Sequence, residues 1–190
     1  MESKEKVYFE SFRKVLNAVV STLFLEDVLD LLVRNVTEVM ALKGCAIRLF
    51  NPSTRTLELV AFHGLSQAYI QKGPVDADAS VAETMIGKTV TISNVAQDPR
   101  AQYPEAAIEE GIVGLGSIPL FLRGRVIGEM RIYTGVSHDF SEDELHFAEA
   151  LAEMGAIAIQ NARMHEGMKK EFESTAALIQ AIRTNPDGWY

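Results

Sequence analysis

The chain has 190 residues, 47% of them hydrophobic and 23% charged, which suits one globular domain with some additional helix rather than two domains. Its formal net charge of -8, with Lys and Arg dispersed among acids, argues against a nucleic-acid-binding surface, and a single cysteine, Cys45, excludes an internal disulfide or a cysteine-rich zinc site. No apolar run approaches the roughly 20 residues that span a bilayer, and Met1 to Lys6 lack the apolar core of a signal peptide, so the expected location is the cytoplasm.

Phe9, Phe12, Leu16, Val19, Val20 and Leu23 recur at helical spacing with Lys4, Lys6, Arg13 and Lys14 between them, which predicts an amphipathic first helix. A second helix is predicted from about Glu26, with Val28, Leu29, Leu32, Val36, Val39 and Met40 as its apolar stripe. Glu26 and Asp27 sit in the first turn, where the helix dipole favours acids, and Gly44 marks the expected end. Cys45 to Phe50 and Thr56 to His63 then flank the turn-forming Asn51-Pro52-Ser53-Thr54-Arg55 and read as a hairpin.

Ser80-Val81-Ala82-Glu83 has the form of a capping box and predicts a short helix ending near Gly87; Thr89 to Ser93 is β-branched enough for a strand. Asp98-Pro99-Arg100 is a turn, and Pro104 to Glu110 opens on proline and stops at Gly111, as a short helix does. Ile112 to Leu122 and Val126 to Tyr133, joined at Arg123-Gly124-Arg125, form the hairpin beside which the other elements can be placed. A second capping box, Ser141 to Glu144, starts a long helix carrying Leu151, Gly155, Ala158 and Ala162 on one stripe. Its apolar positions continue past the globular body as Met164, Met168, Phe172, Leu178, Ile179 and Ile182.

Several local strings, in order, resemble the GAF domain family. They are Gly44-Cys45-Ala46-Ile47-Arg48-Leu49; Thr89 to Val95 followed by Asp98-Pro99-Arg100; Tyr103-Pro104-Glu105-Ala106-Ala107 leading to Glu110-Gly111-Ile112; Ser117-Ile118-Pro119-Leu120; Val126-Ile127-Gly128; Phe140 to Glu144; and Ala156 to Arg163. The resemblance runs from about Phe12 to Arg163. It implies an α+β fold of the GAF/PAS type: an antiparallel sheet of about six strands with the long N- and C-terminal helices on one face and short helices and loops over the other. The two hairpins agree, since they leave too little chain for parallel crossovers. The implied organisation is a GAF domain with its N-terminal helices over 1–165, a helical extension for signalling or dimerisation over 166–183, and a flexible tail over 184–190.

In this family the second side of the sheet often forms a small-molecule pocket, while the flanking helices dimerise and pass a signal to an output domain. The Asn-Lys, Phe, Asp-Glu signature of the cyclic-nucleotide-binding members is missing here. Bilin-binding members hold their pigment through a pocket-side cysteine, whereas Cys45 stands at the mouth of the first strand. Members that reduce free methionine sulfoxide use several cysteines, and one thiol cannot close an intramolecular disulfide.

Strand alternation puts Arg48 with Ala46 and Phe50, Glu58 with Thr56, Val60 and Phe62, and Glu129 with Ile127, Arg131 and Tyr133. In the GAF strand order these strands are neighbours. Two Arg and two Glu would then line a surface otherwise made of Phe50, Phe62 and Tyr133, which suits either a polar pocket or a self-paired charge ladder. Burying four charges under apolar helices would be costly, so they are expected on the face away from the terminal helices. Asp98, Tyr103 and Ser117 complete the candidate ligand-binding set.

His63, His138, His146 and His165 are scattered without metal-ligand spacing, Cys45 reads as a small buried hydrophobe, and no catalytic triad is visible. The expected function is therefore non-enzymatic. A regulatory domain would couple occupancy by a small molecule, of a class the sequence leaves open, to the packing of a homodimer formed through the first and last helices, and would act on an output protein such as a kinase or cyclase. The alternative is a ligand-free GAF-fold dimerisation or interaction module. Neither reading involves nucleic acid or a membrane.

Overall fold

Arg123 and Gly124 both take positive φ, 51° and 76°, and this two-residue turn matches the right-handed twist of the strands it joins. It closes the hairpin of β5 (Gly114–Leu122) and β6 (Arg125–Thr134). The computed structural model describes residues 4–21, 24–80 and 82–184. Around the hairpin lie β1 (Gly44–Asn51), β2 (Thr56–His63), β3 (Val75–Asp76) and β4 (Val90–Ile92), in the order β3-β2-β1-β6-β5-β4. All neighbours are antiparallel, as the two hairpins require.

One face of the sheet is covered by α2 (Leu25–Val39) and α5 (Glu142–Thr184), and α1 (Lys4–Ser21) packs on those two helices on the same side. Leu32, Val36, Ile47, Ile118, Leu120, Met130, Ile132 and Leu151 meet there in the main core. Gly155 of α5 permits the close approach, because a methyl group at that position would come within 3.2 Å of Leu32 Cδ1. On the opposite face α3 (Gln67–Ile70), α4 (Pro104–Glu110), the 3-10 helix Ala82–Ile86 and the intervening loops cover a smaller core that contains Ala46, Tyr69, Ile112, Leu115 and Tyr133.

Three local expectations change. Helix α2 ends at Val39 rather than at Gly44: Ala41 takes the left-handed turn (φ 52°), and Gly44 opens β1 instead, where a Cβ would collide with the His63 carbonyl oxygen at 2.7 Å. The stretch expected to be capped by Ser80 and Glu83 winds as a 3-10 helix; Glu83 faces Arg100 at 3.7 Å, and Ser80 is buried. In α1 the core-facing stripe is Ser11, Val15 and Val19 with Tyr8 and Phe12 beside it, whereas Phe9, Leu16 and Val20 are exposed. The periodicity had merged two adjacent stripes. Leu23 and the tail over 185–190 lie outside the described residues.

The Ser141 capping box closes as expected. Glu144 Oε2 accepts from the Ser141 amide at 2.9 Å, and Ser141 Oγ accepts from the Glu144 amide at 3.3 Å. Lys4 at 3.2 Å and His138 at 3.1 Å reach the same carboxylate. Burial opposes the Glu144 charge, but these hydrogen bonds outweigh it and hold the carboxyl down at about 2. An acid depressed on folding stabilises the native state above its unfolded pKa and loses that contribution as pH falls. Glu144→Ala is therefore expected to cost about 1–2 kcal/mol near neutrality, with the difference shrinking as pH falls from 4.5 towards about 2. Urea unfolding across that range checks it; a cost independent of pH would refute the assignment.

Candidate functional site

The two central strands carry the chemistry. On β6, Glu129, Arg131 and Tyr133 alternate onto the face away from α1, α2 and α5; across the ladder Arg48 of β1 stands opposite Glu129, and Ser117 of β5 stands opposite Arg131. The residues between them, Ile47, Met130, Ile132 and Ile118, enter the helix-side core. Arg48, Glu129 and Arg131 are almost fully enclosed, at 3%, 0% and 5% exposure.

Glu58 does not join them. Between Ile47 and Arg48 the register with β2 slips, so Val60 is an unpaired extra residue, and Glu58 is placed opposite Leu49, on the helix side of the sheet. Its carboxylate is exposed and accepts from Asn51 Nδ2 at 2.6 Å. The bulge brings Leu59, opposite Arg48, and Leu57, opposite Phe50, onto the charged face in place of Val60 and Glu58. Simple alternation could not foresee one inserted residue.

Arg131 Nε lies 2.6 Å from Glu129 Oε1, but the N–H is not aimed along that line, so the contact is one of charge and both atoms lack a hydrogen-bond partner among the described residues. Ser117 Oγ donates to the other Glu129 oxygen at 2.6 Å, and Arg131 Nη2 donates to the Ser80 carbonyl at 3.4 Å. Arg48 Nη1 donates to the Tyr133 hydroxyl at 3.2 Å. Burial opposes the Arg131 charge, yet Glu129 beside it more than compensates and keeps the guanidinium protonated.

Two residues that the sequence reading passed over close the site. Ser66 caps α3, accepting from the Tyr69 amide at 3.1 Å, and the turn sets Tyr69 edge-on against Tyr133 with ring centroids 5.8 Å apart. Lys72 follows, its ammonium 3.7 Å from the Tyr69 ring centroid and donating to the Tyr69 carbonyl at 3.1 Å. Burial and then the guanidiniums of Arg48 and Arg131 push the Lys72 amine down to about 7. Ser66-Gln67-Ala68-Tyr69 was the available signal: a cap residue before a short apolar segment.

Tyr103 stands at the rim and donates to the Pro74 carbonyl at 2.7 Å. Phe62 and Phe50 flank the charged group in separate apolar clusters. Asp98 is held within its own loop, accepting from the Arg100 amide and from its guanidinium at 2.9 and 2.6 Å.

A small void of about 20 Å³ lies beneath Tyr69, Lys72 and Tyr103 and reaches Arg131. That is room for about one water. On the other side of Lys72 a recess of about 260 Å³ opens between β2 and the Lys72–Val75 segment, with Arg48, Leu57, Glu58, Leu59 and Ile70 on its walls. Larger hollows of about 430 and 840 Å³ follow the junction of α1, α2 and α5. They lack the buried charges, so the sheet side is the better candidate despite its smaller volume. Cys45 is enclosed in the helix-side core, where burial pushes its thiol up. Among the described residues no group of three or more His, Cys, Asp or Glu could hold a metal ion, and no helix is long and apolar enough to cross a membrane.

Residues 22–160 match the family model described as the GAF domain. A methyl sulfide methyltransferase-associated sensor of Methanosarcina acetivorans is 28% identical over 94% of this chain, which spans only 19% of that protein's length. The GAF domain from a phosphoenolpyruvate-protein phosphotransferase of Coxiella burnetii superposes with a TM-score of 0.76 at 22% identity, covering 87% of this chain and 99% of that one. Free methionine-R-sulfoxide reductase from Neisseria meningitidis, in complex with its substrate, gives 0.73 at 17% identity, covering 87% and 95%. At these identities the two structural likenesses establish the fold.

Proposed function

The chain belongs to the GAF domain family, a sensory and regulatory fold, and from that premise we propose that it senses a small molecule in the sheet-side recess and passes occupancy on as a change in the packing of a helical dimer. The observation that carries this reading is the buried group of Arg48, Glu129 and Arg131 beside a recess whose wall includes Arg48 and Lys72. Arg48 forms part of the recess wall and spends one of its N–H donors on Tyr133, so the others are available to a ligand there. The sensor role in the name of the archaeal relative supports the same reading. The reading is non-enzymatic, since the one thiol sits on the far side of the sheet and the acids Glu109 and Glu142 belong to helix ends, and it keeps the cytoplasm as the proposed location.

The output surface would be α1 with α5. Phe9, Leu16 and Val20 on α1 and Met164, Met168 and Phe172 on α5 are exposed, and α5 runs unbroken to Thr184. The segment 166–183 would be the signalling extension beyond a domain of 1–165. Each large apolar side chain buried in a pair of such helices contributes roughly 1.5–3 kcal/mol, enough together to offset the cost of association. The resulting two-fold bundle would transmit to an output protein such as a kinase or cyclase. Sedimentation at micromolar concentration is expected to give a dimer that dissociates on truncation after Arg163 or in the double variant Met168→Glu, Phe172→Glu. A monomer unaffected by truncation would remove the dimer, while a metabolite melting screen tests the sensing half.

One observation favours the second reading, a ligand-free interaction module. Tyr69, Lys72 and Tyr103 already reduce the space over Arg131 to about 20 Å³. A dimer with no stabilising compound in the screen would select it.

A further inference from the structure

We propose that the recess takes a small dianion, carboxylate or oxyanion, held by the guanidiniums of Arg48 and Arg131 and covered by the ammonium of Lys72. This rests on the reading of the recess as a ligand site and names the class of ligand. Three cationic side chains converge from β1, β6 and the segment after α3, and one buried carboxylate, Glu129, answers them, while Glu58 on the recess wall has its exposed carboxylate held by Asn51. Glu129 is already engaged by Arg131 and Ser117. Among the described residues the Arg48 guanidinium makes one hydrogen bond, to Tyr133, although it carries five N–H donors in a fork suited to planar anions.

An uncompensated pair of positive charges in an enclosed site is costly, and a dianion removes that cost while accepting the remaining donors. The recess, at about 260 Å³, is smaller than the roughly 300–1,000 Å³ of sites for drug-sized molecules. Lys72 borders both the recess and the void over Arg131, so a swing of its side chain would join them.

The groups that face Lys72 are Arg48 on β1, Glu129 and Arg131 on β6, Tyr69 on α3, Tyr103 on the adjacent loop and, farther off, Glu110 on α4. With its amine at about 7 in the empty site, Lys72 would take up a proton when an anion arrives, so binding should weaken as pH rises above about 7.

Calorimetric titration of the full chain with sodium sulfate and sodium malonate, against sodium chloride at matched ionic strength and against neutral malonamide, tests this. Saturable binding of sulfate or malonate is expected, weaker at about pH 9 than at about pH 6, and which anion binds tighter separates oxyanion from carboxylate. Arg48→Met should weaken it by about 10–100-fold. Lys72→Met should abolish the pH dependence. Malonamide binding as tightly as malonate, or anion binding unchanged in both variants, overturns the inference. If neither anion binds but a neutral or cationic metabolite does, the anion class falls and the ligand site stands; if nothing binds saturably, both fall.

Discussion

Glu129→Ala is expected to lower the free energy of unfolding by about 3–5 kcal/mol, because it leaves an enclosed guanidinium without its counter-charge. Glu129 has no exposed surface, lies 2.6 Å from Arg131 and faces Arg48 across the β1–β6 ladder. Without it, Arg48, Arg131 and Lys72 would repel one another through a medium that screens poorly. Glu129→Gln keeps the volume and an acceptor for Ser117, so it should cost less than the alanine variant while still losing the charge. Chemical unfolding of both variants checks the order. A cost below about 1 kcal/mol for the alanine variant would mean that the guanidiniums are solvated by water rather than held by Glu129.

Gly128→Ala is expected to be nearly as damaging, about 3 kcal/mol, for a steric reason. A Cβ at this position of β6 would be driven into the Arg48 carbonyl oxygen and lie 3.0 Å from the Leu49 Cα, both backbone atoms of the neighbouring strand. A side chain could swing away, but a central strand can yield only by parting from its partner. The gain of about 0.4–1 kcal/mol from restricting the unfolded chain is too small to compensate. For a chain of this size the melting temperature should fall by about 6–12 °C, and an unchanged value would refute the close approach. Because Arg48 donates from the same stretch of β1, the damage should extend to the charged site as well as to the ladder.

The fold was legible in the sequence to a large degree. The hairpin around Arg123-Gly124, the cap at Ser141, the proline and glycine bounding Pro104–Glu110 and the stripes of α2 and α5 are local signals, each set by a few neighbouring residues, and each forms as its chemistry dictates. The faces of β1 and β6 were legible for the same reason: a period of two, once started in an unbroken strand, assigns Arg48, Glu129, Arg131 and Tyr133 to one side.

What local signals cannot specify is where a strand gains a residue or which distant segments meet. The bulge at Val60 arises from pairing with β1, and it moved Glu58 to the helix side. Lys72 and Tyr69 belong to a stretch with little periodicity, and only its packing over Tyr133 brings a third cation to two arginines far along the chain. The α1 stripe divided for a similar reason, since burial of Val15 rather than Leu16 depends on where α2 and α5 lie against it. The sequence by itself thus determined which side chains were available and, wherever the strands are regular, which face they share. Tertiary contact alone decided the charge balance of the site, because electrostatic energy depends on distances between residues that the chain keeps far apart until it folds.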